Sequence, residues 1–321
     1  MLVQKKTAEI EISVVVPLYN ESENIKLLSD KLTSVLNRLN ISYEVICVND
    51  GSTDDSYEKL VETHHKNNLF KIINLSRNFG KEIALTAGID YANGSAVIPI
   101  DADLQDPPEL IGKLIAKWRD GYDVVYATRQ SRKGETWLKR NTAKAFYYTI
   151  GKLINIEIPA NTGDFRLLDR KVVEALKKMP EKSRFMKGLF SWVGYKQTSI
   201  SFNRDPRYLG KTTWNYWKLW NFALDGIFSF SSLPLKIWSY VGFLFSLIAL
   251  IYASFLVVRT LIYGVDVPGY ASLMVAILFM GGIQLVTLGI IGEYLSRLYE
   301  EAKGRPLYLV REELGFNKKN K

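Results

Sequence analysis

The chain predicts an α/β protein built on a mostly parallel sheet, with amphipathic interfacial helices and a C-terminal hairpin of two transmembrane helices. Three observations carry this prediction. β-branched runs alternate with helical stripes from Ile10 to Ala127, two long uncharged apolar stretches follow Ser232, and two aspartates one residue apart, Asp101 and Asp103, close one apolar run. Repeated βαβ units cover a parallel sheet with helices on both faces. Such sheets bind ligands beyond the C-terminal ends of their strands.

Ile10–Pro17 is a β-branched strand. A helix over Asn24–Leu39 follows, with Ile25, Leu28, Leu32, Val35 and Leu39 as its apolar stripe and Asn20 or Ser22 as N-cap. Strand Tyr43–Val48, helix Asp54–Lys66, strand Phe70–Leu75, helix Lys81–Ala92, strand Ala96–Ile100, helix Pro108–Trp118 and strand Asp123–Ala127 complete the series. Trp137–Ile154 and Trp214–Ser231 carry aromatic and basic residues at helical spacing, the pattern of helices lying in the headgroup plane. Ile237–Val258 holds no charge over 22 residues, and Val267–Gly292 none over 26. At 1.5 Å per residue, 22 helical residues reach about 33 Å, enough for a hydrocarbon core of about 30 Å. The short connection makes the two spans a hairpin, with Trp238, Tyr240, Tyr263 and Tyr270 near the membrane surfaces.

The predicted organisation is therefore a catalytic domain over residues 1–210, including an interfacial helix near 137–155. A second interfacial helix over 211–232, a hairpin over 233–295 with spans near 235–260 and 268–293, and a tail over 296–321 follow. Lys and Arg crowd the catalytic region and the tail, so the positive-inside rule puts both in the cytoplasm, against the inner membrane. The polar start Met1–Glu11 does not read as a signal peptide. The 42 Lys and Arg against 33 Asp and Glu give a net charge of +9, which suits a phosphate-bearing partner. Cys47, the lone cysteine, lies in an apolar run and reads as a reduced core residue, and adjacent His64 and His65 do not share a helix face.

Four motifs carry chemistry. Val14-Val-Val-Pro-Leu-Tyr-Asn-Glu21 ends the first strand, with Asn20 and Glu21 able to grip a nucleoside. Val48-Asn-Asp-Gly-Ser-Thr-Asp-Asp55 ends the second, where Asp50 can accept hydrogen bonds from a base or ribose while Thr53 or Asp54 caps the next helix. Asp101-Ala-Asp-Leu-Gln-Asp106 offers paired hard oxygens for Mg²⁺ or Mn²⁺, on the expectation that residues i and i+2 of a strand share a face. Asn161-Thr-Gly-Asp-Phe-Arg166 sets Asp164 and Arg166 two apart. Neither a Gly-x-Gly-x-x-Gly fingerprint nor a Gly-x-x-x-x-Gly-Lys-Ser/Thr phosphate loop is present.

In this order and spacing the motifs resemble the family 2 glycosyltransferases of the GT-A fold. More narrowly they look like the polyprenyl-phosphate glycosyltransferases, a group that includes bactoprenol glucosyltransferases and dolichol-phosphate mannose synthases. Leu75-Ser-Arg-Asn-Phe-Gly-Lys81 and the run Asp101–Glu109 are specific to that branch, and the hairpin resembles the bactoprenol subgroup. The resemblance implies that Pro17, Tyr19, Glu21 and Asp50 hold the donor nucleoside, and that Asp101, Asp103 and Gln105 bind the metal and donor diphosphate. Arg129, Arg140 and Arg207 match positions that meet the lipid phosphate. At Arg207-Tyr-Leu-Gly-Lys-Thr-Thr-Trp214 the chain departs from the usual Arg-x-x-Gly-x-Ser-Lys pattern: Thr212 and Thr213 take the Ser-Lys places, and Lys211, just before them, is the candidate substitute for the missing lysine. Arg132, Lys133 and Lys139 join this basic cluster. Asp103, Asp164 and Arg129 form the expected catalytic set, with Asp164 orienting the acceptor or acting as base.

The implied reaction is inverting, metal-dependent transfer of a hexose, glucose from UDP-glucose, to undecaprenyl phosphate. Mannose, aminoarabinose or a GlcNAc-like sugar is the alternative, and nucleic acid is not an expected partner. A processive polysaccharide synthase would want a Gln-x-x-Arg-Trp motif and more spans. A transporter would want charges within the spans. A non-catalytic lipid carrier would not need the intact Asp101/Asp103 pair. Small residues at Gly281-Gly282 and Gly289 suit helix packing in a homo-oligomer, with a tetramer expected.

Overall fold

The computed structural model describes residues 10–129, 162–179, 181–182, 184–202, 233–264 and 269–316. Four parallel strands form its centre: β1 (Ile12–Leu18), β2 (Tyr43–Asn49), β3 (Phe70–Leu75) and β4 (Ala96–Pro99). With β5 (Val124–Arg129), β6 (Thr162–Asp169), β7 (Gln197–Phe202) and β8 (Val310–Leu314) they make an eight-stranded sheet in the order β7-β5-β6-β4-β1-β2-β3-β8. β6 runs antiparallel between β4 and β5, and β8 runs antiparallel along β3. The sheet is thus parallel through its middle, as the βαβ pattern predicts, with reversed strands toward its sides.

Helices α1 (Ile25–Arg38), α2 (Ser56–Lys66), α3 (Lys81–Tyr91), α4 (Ile111–Arg119), α5 (Arg170–Lys177) and α6 (Met186–Trp192) flank the sheet. Side chains alternate across β1. Val14 and Val16 join a core with Leu28, Leu32 and Leu36 of α1 and Ile111 and Leu114 of α4. Val15 joins the opposite core with Ala84 and Leu85 of α3, Val172 of α5 and Phe190 of α6. This period of two explains why the central strands read as continuous apolar runs. Cys47 is buried in the first core, and burial pushes its thiol up to about 12.

Two local expectations need correction. The N-cap of α1 is Asn24, not Asn20 or Ser22. Asn20 adopts a left-handed φ of 53° and instead accepts a hydrogen bond from the Thr53 N–H at 2.8 Å, so its side chain serves the neighbouring loop. The N-cap of α2 is Asp55, not Thr53 or Asp54, although Asp54 accepts from the Ser56 N–H at 3.1 Å just before the helix. Asp164 and Arg166, assigned no element from sequence, lie on strand β6 (Thr162–Asp169).

After this domain come α7 (Leu233–Tyr263) and α8 (Tyr270–Ala302), both long and apolar enough to cross a membrane. They meet at Phe245 and Phe279, whose rings pack edge to face with centroids 5.6 Å apart. Phe243, Leu250, Leu261 and Leu285 point away from the rest of the chain. The hairpin associates the protein with a membrane. α8 runs past the apolar stretch because Glu293 and Arg297 pair one turn apart at 2.9 Å and the helix period continues. Lys182 then donates to the carbonyls of Glu300 (3.0 Å) and Glu301 (3.2 Å), closing the helix C-terminus.

The tail beyond α8 is not a plain tail. β8 returns to the sheet, where Tyr57 donates to Glu312, Tyr91 to Glu313 (both 2.5 Å) and Tyr308 to Asp90 (3.0 Å). The expected interfacial helices at 137–155 and 211–232 lie outside the described residues.

Candidate active site

The C-terminal ends of β1, β2 and β4 open on one edge of the sheet. At the end of β1, Pro17 is buried beside Val48, while Tyr19 is 45% exposed. The turn beyond is laced to the loop after β2. The Asn20 N–H donates to the Ser52 hydroxyl and the Glu21 N–H to the Ser56 hydroxyl, each at 3.0 Å. The Glu21 carboxylate accepts from the Asn24 amide at 2.6 Å. The four donor-site residues expected from sequence therefore share one edge, with Pro17 contributing shape and Tyr19 an open aromatic face.

Asp50 is buried, and its two oxygens accept from the backbone N–H groups of Phe79 (2.7 Å) and Gly80 (2.9 Å). Burial raises its pKa, although those N–H groups and Arg77 pull the other way. Gly51 has φ +63°, and a Cβ there would lie 2.4 Å from the Arg77 carbonyl carbon. Only glycine suits such an approach of two backbones. Asp50 and Gly51 thus fasten the loop Ser76–Gly80 against this edge of the sheet, and that loop delivers Lys81 as the first residue of α3.

Lys81 is the centre of the arrangement. Its ammonium lies 2.7 Å from Asp101 Oδ1, 2.8 Å from Asp101 Oδ2 and 2.7 Å from Asp164 Oδ2. The two acids meet where β4 ends. β6 pairs with β4 at Ala96–Asp169 and Val97–Leu168 and carries Asp164, and the turn that follows β4 carries Asp101. Burial alone would raise the pKa of Asp164, but Lys81, Lys187 and Arg166 hold it below the ordinary carboxylate range. Burial likewise opposes the charge on Lys81, yet Asp164 and Asp101 outweigh it and raise that pKa. Asp164 Oδ1 has no hydrogen-bond partner among the described residues. Behind this pair, Glu82 is pushed up to about 8 by burial and the charge of Asp164, against Lys81 and Lys187. The Arg166 guanidinium stacks 4.1 Å over the Phe190 ring and donates to the Gly163 carbonyl at 2.8 Å.

The strand argument for Asp101 and Asp103 is corrected. β4 ends at Pro99, so both acids lie in the turn beyond it, where alternation does not apply. Leu104 takes a left-handed φ of 57°, and Asp103 Oδ1 accepts from the Gln105 N–H at 3.2 Å. Among the described residues no three His, Cys, Asp or Glu side chains group to hold an ion. The donor set still fits Mg²⁺ or Mn²⁺. Such ions take one or two carboxylates and complete their shell with water and substrate phosphates. The Lys81 ammonium already shows that Asp101 supports a cation.

Arg129 ends β5 at the same edge. Its Nη2 lies 3.9 Å from buried Asp106 Oδ1, and a Cβ on Gly163 would sit 3.1 Å from that Nη2. Gly163 therefore leaves the space Arg129 occupies. Arg129 Nε has no hydrogen-bond partner among the described residues. Arg132, Lys133, Lys139, Arg140, Arg207 and Lys211 lie outside them. Lys81, Glu82 and Lys187 were missed as site residues. The signal for Lys81 was its place at the end of Leu75–Lys81, a string that sequence reading marked without assigning a role.

Residues 13–177 match the model of glycosyl transferase family 2, and residues 233–298 match that of the GtrB C-terminal hairpin. The chain belongs to glycosyl transferase family 2. It is a glycosyltransferase. An uncharacterized glycosyltransferase of Synechocystis sp. is 66% identical over 94% of this chain and 95% of its own length. The prophage bactoprenol glucosyl transferase homolog of Escherichia coli K12 is 45% identical over 94% and 99%. The bactoprenol glucosyl transferase of Shigella phage SfV is 44% identical over 95% and 99%. A mannosyltransferase from Pyrobaculum calidifontis, solved with GDP-Man and Mn²⁺, shares the GT-A-like fold at a TM-score of 0.51. It is 17% identical, over 92% of this chain and 87% of that one.

Proposed function

We propose that this family 2 enzyme transfers one hexose, glucose from UDP-glucose, with inversion, to the phosphate of undecaprenyl phosphate at the cytoplasmic membrane face. The observation that carries the reading is the junction of Asp101, Lys81 and Asp164, where a donor-side carboxylate and an acceptor-side carboxylate share one ammonium. The bactoprenol glucosyl transferases among its relatives support the lipid acceptor and the sugar.

Tyr19, Glu21 and the loop fastened by Asp50 receive the nucleoside. Asp101 and Asp103, with Gln105, would hold a divalent cation, which when bound stabilises negative charge on the departing diphosphate. Arg129 binds the acceptor phosphate, with Arg140, Arg207 and Lys211 completing the cationic surround, since Arg suits bidentate phosphate contact. The nucleophile is a phosphate oxygen, already anionic at neutral pH. Asp164, held ionised, has the task of orienting the acceptor rather than of removing a proton. A test is transfer by the detergent-solubilised protein from radiolabelled UDP- and GDP-sugars to undecaprenyl phosphate with Mg²⁺ or Mn²⁺. Label reaching the lipid from UDP-glucose and lost with EDTA supports the reading. Label from another donor reassigns the sugar, and label insensitive to EDTA removes the metal.

A further inference from the structure

The Lys81 ammonium lies within 2.7–2.8 Å of three oxygens, both of Asp101 and one of Asp164. It hydrogen-bonds to both acids, so one cation bridges the two carboxylates. It occupies the carboxylate that the proposed reading gives to the divalent cation. We propose that Lys81 is an internal counter-ion of the resting site: it holds Asp101 and Asp164 together, competes with the divalent cation for Asp101, and gives up Asp101 when cation and donor arrive together. The inference rests on the reading of Asp101 as a metal ligand.

The geometry allows the exchange. The Lys81 side chain is 46% exposed, and its stem of four methylenes is flexible. Asp164 is 8% exposed and fixed by β6, so the ammonium can keep Asp164 as its anchor while swinging from Asp101 to a phosphate oxygen. A bare divalent cation meets a repelling ammonium at Asp101. A cation carried by a nucleoside diphosphate brings negative oxygens that attract the same ammonium. The arrangement therefore favours cation binding with the donor over cation binding alone, which keeps an idle site from filling with metal.

The test is Mn²⁺ titration of the full-length protein in detergent, followed by electron paramagnetic resonance, with and without UDP-glucose. Removing one positive charge a few ångströms from the ion in Lys81→Gln should tighten Mn²⁺ binding without nucleotide by about tenfold. Lys81→Arg should match wild type, and UDP-glucose should narrow the gap between wild type and Lys81→Gln. Equal or weaker Mn²⁺ binding in Lys81→Gln overturns the inference. Should Lys81→Gln fail to fold, Lys81→Gln with Asp164→Asn is compared with Asp164→Asn alone, and the same tightening is required. If wild type binds no Mn²⁺ even with UDP-glucose, or binds it equally well in Asp101→Asn, the metal reading itself fails. That result is distinct from unchanged affinity in Lys81→Gln.

Discussion

At the scale of single residues, the site depends on one position that tolerates no larger side chain and on two acids. Gly51 combines a left-handed φ with backbone contact at 2.4 Å, so Gly51→Ala should lower stability by about 1–3 kcal/mol and weaken donor binding. Chemical denaturation and nucleotide titration check the two effects. Glu82 titrates abnormally high because it is buried beside Asp164. An acid whose folded pKa exceeds its unfolded value loses stability as pH rises between the two. Wild type should thus lose stability relative to Glu82→Gln as pH rises from 4.5 to about 8. Parallel melting curves of the two proteins across that window measure it, and a constant difference would contradict the account. Asp164→Asn should slow transfer about a hundredfold by misplacing the acceptor, read as a fall in turnover at saturating donor. Asp101, Asp103 and Asp164 stood out in the sequence because their motifs are short and local, and Arg129 only through the family resemblance. Lys81 was not legible as a site residue, since its partners Asp101 and Asp164 lie 20 and 83 residues away and meet it only in the folded chain.

At the scale of elements, α3 and β8 decide how rigidly the site is held. A Cβ on Gly88 would meet Val15 Cγ1 at 2.2 Å, so α3 lies on β1 only because position 88 is glycine. Gly88→Val should cost about 1–3 kcal/mol by overpacking and displace Lys81 with the helix. Lower stability with reduced transfer checks this. β8 covers the edge of β3, an edge that would otherwise offer unpaired backbone groups. Glu312→Pro removes a ladder donor opposite Asn74 and the partner of Tyr57. Hydrogen exchange should then accelerate in β3 while β1 and β4 stay protected, and unchanged exchange in β3 would show that β8 contributes nothing to the edge. The parallel strands were legible because each is an apolar run bounded by a helical stripe. β6, β7 and β8 were hidden. β6 carries Asp164, Arg166 and Asp169 among its apolar residues, and β8 reads Val-Arg-Glu-Glu-Leu, a charged strand whose partner lies more than two hundred residues away.

At the scale of the whole molecule, the chain passes from a soluble sheet into a hairpin and back to the sheet. Lys182 closes the C-terminal end of α8 and β8 pairs with β3, so the hairpin leaves and returns to one folded body. This double attachment suits an enzyme that must meet a water-soluble donor and a lipid acceptor in a fixed orientation. The apolar spans were legible from length alone, whereas the return of the tail required a tertiary contact that no local pattern announces. The central claim is that the sugar becomes joined to the lipid phosphate. Mass spectrometry of undecaprenyl phosphate after incubation with UDP-glucose and the purified enzyme tests it most directly. The account predicts a lipid heavier by one hexose residue with its phosphate retained, formed by wild type and not by Asp101→Asn. An unchanged lipid alongside free glucose and UDP would contradict it.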